Sequence, residues 1–244
     1  MLTHTMTYKQ MQEEFFYDMN NLLLPHLIKV YDKRAKRAIL KTTKFPIIFN
    51  PVYYTSKRQN RWIIMYYAID KKLAHDASCV ILLTVNTPEG VYVYRKDMGS
   101  FDMLITVYPP HFFSRYRSRQ LKDNSLTTEE VIIQFFKNNF DGIIARRDNI
   151  AESALREGYA LGEVLSREYN LTMMKTFITS KMLREDQSLG IIWQNMDQDE
   201  INFLKRSGNK KLIEKVNDNI QRARIQLEIK AMTPTLQQED IKKP

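Results

Sequence analysis

Pro109-Pro110-His111-Phe112-Phe113-Ser114-Arg115-Tyr116-Arg117-Ser118-Arg119 is the stretch of this chain best equipped for chemistry. His111, Arg115 and Arg119 recur at i, i+4 and i+8, and on a helix they drift by only about 40° per step, so they share one side. An imidazole beside fixed guanidiniums suits phosphate: the ring exchanges a proton near neutral pH, and the planar forks bind oxygens two at a time. Phe112, Phe113 and Tyr116 fall on an adjoining side, which can anchor the helix by its aromatics. Arg117 projects elsewhere. The plainer alternative is a surface helix whose arginines pair with carboxylates and whose histidine caps the first turn.

The elements that must position these residues follow from periodicity. Met103 to Tyr108 is strand-like, and Pro109-Pro110 suits the start of a helix because proline's fixed φ fits the first turn. Trp62–Ile69, Val80–Val85 and Val91–Tyr94 are further runs rich in Val, Ile, Tyr and Trp, as strands prefer. Thr87-Pro88-Glu89-Gly90 has turn chemistry and joins two of them as a hairpin. Short connections point to an antiparallel meander. Upstream, residues 8–24 place Met11, Phe15, Phe16, Met19, Leu22 and Leu23 at helical spacing. Pro25 is expected to interrupt that helix, and a second follows over 26–42 with Leu27, Val30, Tyr31, Ala38 and Ile39 inward. Downstream, Thr127 and Glu130 form a capping box, with Leu126 and Val131 as its staple, for a helix through Ile132, Phe135 and Phe136. Tyr159–Arg167 and Leu171–Ile178 read as strands around Tyr169-Asn170, and Thr179 or Ser180 can cap a short helix at Met182 and Leu183. Asp197 and Glu200 repeat the capping pattern. Residues 209–231 carry Ile213, Val216, Ile220, Ala223 and Leu227 by threes and fours, and Pro234 marks the end of that helix. The expected class is α+β: a central antiparallel sheet with an N-terminal helical pair, inserted helices and a C-terminal helical extension. The expected segments are 1–45 (helical), 46–190 (α+β core), 191–232 (helical extension) and 233–244 (disordered tail).

Charge is distributed unevenly. The net charge is +9, yet residues 1–122 hold 19 Lys/Arg against 9 Asp/Glu, and residues 123–244 hold 18 against 19. A one-sided positive field attracts polyanions, nucleic acid first among them, although general solubility also accounts for it. Lys29, Lys33, Lys36 and Arg37 fall on one helical face, and Lys57, Arg58 and Arg61 could extend it into a phosphate-tracking surface. Tyr53, Tyr54, Trp62, Tyr66 and Tyr67 are interleaved and could stack bases, with core packing the simpler use for most of them. The single cysteine, Cys79, lies in an apolar run; it excludes an internal disulfide framework and fits a reducing compartment. The N-terminus lacks signal-peptide layout, and no apolar run approaches the roughly 18 residues of a membrane span, so a cytoplasmic location without membrane association is expected. His75 and Cys79 have no second ligand pair at zinc spacing, and Asp197, Asp199 and Glu200 are explained by capping, so neither metal nor cofactor is expected.

The order of strand, His-x3-Arg-x3-Arg helix, short loop, acidic capping box and second helix resembles a group of small bacterial proteins. They carry His-Ala-x2-Arg-Met-x2-Arg followed by Ser-Glu-Glu-Glu-Ile. Here the corresponding residues are His111, Arg115, Arg119 and Thr127-Thr128-Glu129-Glu130-Val131, with Phe112 and Tyr116 in place of the small residue and the methionine. That group is related to metal-independent ribonucleases of the barnase–EndoU–colicin–RelE type, in which helices precede an antiparallel sheet. The resemblance spans residues 103–180, with Gly158–Gly162 and Lys175–Thr179 as further sheet. It implies His111 as the base or acid, Arg115 and Arg119 on the scissile phosphate, and Lys175 and Thr176 as further contributors. Three functions follow as expectations: an RNA nuclease of toxin or defence type; a non-catalytic module that binds nucleic acid or protein; and a structural protein of phage origin that dimerises through 209–231. RNA is the expected ligand ahead of DNA, and an antitoxin is the protein partner that a toxin would imply.

Overall fold

Cys79-Val80-Ile81-Leu82-Leu83 shows no polar–apolar alternation, so a strand built from it needs cover on both faces. That is its setting in a computed structural model of the chain, which describes residues 1–30, 32–74, 78–97, 103–140, 142–179 and 182. Among these residues the helices are α1 (Tyr8–Asp18), α2 (Leu24–Val30), α3 (Asp32–Lys41), α4 (Pro110–Tyr116) and α5 (Thr128–Asn138). The strands are β1 (Ile47–Ile48), β2 (Val52–Thr55), β3 (Arg61–Ala68), β4 (Ser78–Thr87), β5 (Gly90–Asp97), β6 (Ile105–Tyr108), β7 (Ile143–Arg147), β8 (Ile150–Ala154), β9 (Gly158–Ser166) and β10 (Leu171–Thr179). They form one 10-stranded sheet in the order β1-β3-β4-β5-β6-β10-β9-β8-β7, with β2 sharing the outer edge of β3. The class is α+β, as expected.

The antiparallel expectation holds at every pairing but one. Ile105, Thr106 and Val107 of β6 run parallel to Leu171, Thr172 and Met173 of β10. Two antiparallel meanders, β1 to β6 and β7 to β10, therefore lie side by side along that seam. Parallel neighbours cannot be joined by a hairpin, and the long connection between them carries α4 and α5.

Alternate residues of β3 and β4 serve two cores. Ile63, Met65, Val80 and Leu82 face α4 and α5, meeting Phe112, Phe113, Phe135 and Phe136. Trp62, Ile64, Ile81 and Leu83 face the opposite layer, meeting Phe15, Met19, Leu23 and Leu27. Each such side chain, removed from water, stabilises the fold by about 2 kcal/mol. Cys79 belongs to the second core and is buried.

Pro25 does not stop the first helix. Met19–Leu23 widens into a π-helical turn, with Leu24 N–H donating to Met19 O, and α2 continues through Pro25. The extra residue in that turn relieves the clash a proline ring makes with the preceding turn. The capping box at Thr127 and Glu130 is present in full, as is the Thr87–Gly90 hairpin turn. β1, β2, β7 and β8 were not anticipated; β1 is two residues long, and β7 and β8 mix Arg, Glu and Ala with their apolar residues. The described residues belong to one compact unit, Met1–Met182. The expected elements at 180–183, 197–204 and 209–231, and the tail 233–244, lie outside the described residues, Met182 excepted.

Candidate functional site

α4 starts where β6 stops. Pro109 caps it in extended conformation and Pro110 occupies its first turn. Phe112, Phe113 and Tyr116 are buried against the sheet and α5, with Phe112 and Tyr116 edge-on to Phe135 at 5.1 and 5.0 Å. This leaves His111, Ser114 and Arg115 exposed. The helix ends in a second π-helical turn, Arg117–Leu121, closed by Lys122 with φ 54° donating N–H to Arg117 O. Arg119 thus sits in a widened turn and is half-buried, so the even i, i+4, i+8 stack holds only from His111 to Arg115.

β10 supplies the opposing surface. It pairs with β6 only as far as Met173, and its register with β9 slips between Met174 and Thr176, leaving Lys175 as the extra residue of a bulge. Gly162 permits the close approach on that side: a Cβ there would lie 1.8 Å from Met173 O. On the edge that β6 has left, guanidiniums take the place of strand donors. Arg115 Nη1 donates to Lys175 O at 3.0 Å. Arg119 Nη1 donates to Phe177 O at 2.5 Å and to Thr176 Oγ1 at 3.3 Å. His111, Arg115, Arg119, Lys175 and Thr176, up to 65 positions apart in sequence, are therefore brought together. Lys175 offers the helix its backbone, while its ammonium pairs with Glu163 at 2.5 Å.

The His111 imidazole is held below its ordinary value of 6.5 by partial desolvation first and by the charge of Arg115 second; a hydrogen bond with the Lys175 backbone opposes this and the Lys175 charge adds to it. A ring so placed is neutral near pH 7 and can accept a proton. Arg115, exposed, keeps most of its donors for a ligand.

A second cluster braces the helix. Glu157, in the β8–β9 connection, accepts from Tyr116 Oη at 2.5 Å, Asn138 Nδ2 at 2.9 Å, Asn139 Nδ2 at 3.0 Å and Gln120 Nε2 at 3.4 Å. Its own N–H donates to Asn139 Oδ1 at 3.1 Å. Burial and the bond to this carboxylate raise the Tyr116 phenol well above its usual range. Neither Glu157 nor Glu163 was singled out from the sequence. Their partners lie on other elements, so no local spacing marks them.

The basic residues do not form the single surface expected of them. Arg58 is bound to the buried Glu14, whose carboxyl it holds down at about 2, with Asn60 assisting at 3.0 Å. Arg61 is paired with Glu129 at 2.5 Å. Lys57 is exposed. Lys36 and Arg37 lie on α3, which packs through Ile39 against Ala68 at the far end of β3. The β2–β3 turn and the α3 end of β3 are separated by roughly 23 Å, at about 3.3 Å per residue. Lys29 and Lys33 belong to α2 and α3, and their side chains lie outside the described residues. Of the aromatics, Trp62 is buried with its Nε1 donating to Asp18 Oδ2 at 2.6 Å, Tyr67 packs on Phe140, and Tyr54 stacks on His26 at 4.5 Å. Tyr53 is exposed.

No family model, curated protein or solved structure matches the chain. Among the described residues no helix is long and apolar enough to cross a membrane.

Proposed function

We propose that this chain is a metal-independent RNA endonuclease of toxin or defence type, built on the plan of the barnase–EndoU–colicin–RelE group and acting in the cytoplasm. One observation carries the reading: an exposed imidazole with a lowered proton affinity stands beside an exposed guanidinium that is tied to a bulged strand. The order α4, α5 and then the antiparallel strands β7 to β10 matches that plan within residues 110–179, with β1 to β6 as additional strands ahead of it. In this scheme His111 takes the proton of a ribose 2′-hydroxyl. The 2′-oxygen bonds to phosphorus, the bond from phosphorus to the 5′-oxygen breaks, and the departing oxygen takes a proton from water or from the His111 imidazolium. Arg115 stabilises the charge growing on the phosphoryl oxygens. Thr176 and the Lys175 backbone hold the arginines.

A second reading, a module that binds nucleic acid without cutting it, is favoured by one specific fact. Arg119 and the Lys175 ammonium already have partners within the protein. Incubating the purified protein in EDTA with total RNA and with single-stranded DNA, beside His111→Ala, separates the two. Cleavage of RNA that His111→Ala abolishes, with RNA affinity kept, establishes the nuclease. RNA left intact by the parent, with binding that weakens steeply as salt rises, establishes the module.

A further inference from the structure

Four cationic side chains of the described structure pair with carboxylates: Lys9 with Glu13, Arg58 with Glu14, Arg61 with Glu129 and Lys175 with Glu163. One corner gathers cations that do not. In α3, Ala35 and Ile39 point inward, and Ile39 forms a small core with Ala68 and Ala74. Ala74 belongs to a 3₁₀ turn, Lys71–Ala74, that packs there. The outer surface of this corner consequently gathers Lys36, Arg37 and Lys41 from α3, Lys44 just beyond it, and Lys71 and Lys72 from the turn. All but the half-buried Lys36 are exposed. Among the described residues none of these side chains has an ion pair. Asp70, the neighbouring acid, accepts from the Lys72 backbone N–H at 2.7 Å.

Like charges gathered with no ion pair among the described residues raise the free energy of the bare protein, and a polyanion that enters among them releases its own counter-ions. A membrane surface fits poorly: an interfacial helix needs a free apolar face, and on α3 Ala35 and Ile39 are buried and Ala38 half-buried, which leaves only Leu40 exposed among its apolar residues, at 50%. Arg37 and Lys41 stand one helical turn apart, about 6 Å between their Cβ atoms, a spacing that consecutive phosphates of a single strand can match.

We propose that the α3 corner is a docking surface for the phosphate backbone of single-stranded RNA, separate from the α4 site. It takes its ligand class from the proposed function and is independent of the cleavage chemistry.

The test uses the full chain and a fluorescent 2′-O-methyl RNA strand, which offers no 2′-hydroxyl to attack, with affinity read by anisotropy between about 50 and 200 mM salt. Engagement of about six phosphates gives a slope of log K against log salt near −4, at about −0.7 per phosphate. The quadruple variant Arg37→Gln, Lys41→Gln, Lys71→Gln, Lys72→Gln, with an unchanged circular dichroism spectrum, flattens the slope to about −1.4. Lys57→Gln leaves it near the parental value. A quadruple variant with the parental slope overturns the proposal. So does one that keeps RNA affinity while losing binding to phosphatidylserine vesicles or to polyglutamate. Failure of the nuclease reading shows instead as unmodified RNA left uncut by a parent that retains the full slope.

Discussion

Arg115 and Arg119 donate to the same strand from the same helix, yet their removal should have different consequences. Arg119 is half-buried and serves Phe177 O at 2.5 Å and Thr176 Oγ1 at 3.3 Å. Arg115 is exposed and serves Lys175 O alone, at 3.0 Å. A hydrogen bond from a charged donor contributes about 1.5–3 kcal/mol where water cannot substitute, and much less where it can. Methionine preserves most of the apolar stem. Arg119→Met should therefore lower unfolding stability by about 2 kcal/mol and Arg115→Met by under about 0.5 kcal/mol. Urea unfolding followed by the emission of buried Trp62, in a Trp193→Phe background, measures both. Activity should rank them the other way. Loss of a donor to the transition-state phosphoryl group costs about a hundredfold or more in rate, so Arg115→Met should be folded and nearly inactive. If Arg115→Met is as unstable as Arg119→Met, or if both cleave RNA normally, the division of labour argued from exposure is wrong.

Glu14 sets an acid limit on stability. Its carboxyl is lowered from 4.5 to about 2, chiefly by the Arg58 guanidinium, so its contribution is complete above pH 4.5 and is lost as pH falls towards 2. That loss amounts to about 2 kcal/mol by pH 3 and about 3 kcal/mol in full; Glu14→Gln should flatten the acid limb of the stability–pH curve by that amount, and an unchanged limb would contradict the assignment. Gly162→Ala should cost more than about 3 kcal/mol or prevent folding, because its Cβ meets backbone that cannot swing aside; a parental thermal midpoint would mean that β9 and β10 are not so close at the bulge. The pH–rate profile of RNA cleavage should rise to a plateau with a midpoint below 6.5, since His111 acts as a base only when neutral and its affinity for the proton is lowered. Arg115→Met should move the midpoint of its residual rate upward by removing a positive neighbour, and a rate that falls as pH rises would remove His111 from the role of base.

The sequence made the sheet's first half readable where residue type and turn chemistry agreed. Val80–Val85, the Thr87–Gly90 turn and Val91–Tyr94 became β4 and β5 almost unchanged. The Thr127–Glu130 box was legible because its hydrogen bonds are local. β7 and β8 were hidden because Ile-Ile-Ala-Arg-Arg and Ile-Ala-Glu-Ser-Ala carry weak strand propensity and are set by their neighbour β9. Pro25 misled because a π-helical turn is invisible to a 3.6-residue period. In the site, His111 and Arg115 were legible from helical spacing. Glu157 and Glu163 were not, since a tertiary hydrogen bond leaves no periodic trace. Arg58 and Arg61 misled in a related way: charge can be counted along a chain, but the carboxylates that neutralise these two come from α1 and α5.

Capping a strand edge and binding a phosphate are compatible tasks for Arg115. A single Nη1 bond to Lys175 O orients the guanidinium while its remaining N–H groups stay available. The same bond requires the bulge, because it is the slip between Met174 and Thr176 that makes Lys175 the extra residue. Gly162 admits the bulge, and Glu157, through Tyr116, fixes the helix that carries the arginine. Each support lies on a regular element or on a tightly bonded connection, the arrangement a site needs if its first donors are to be held within a fraction of an ångström. Arg119, with two acceptors and a half-buried side chain, belongs with those supports, which leaves His111 and Arg115 as the pair that can meet a substrate directly.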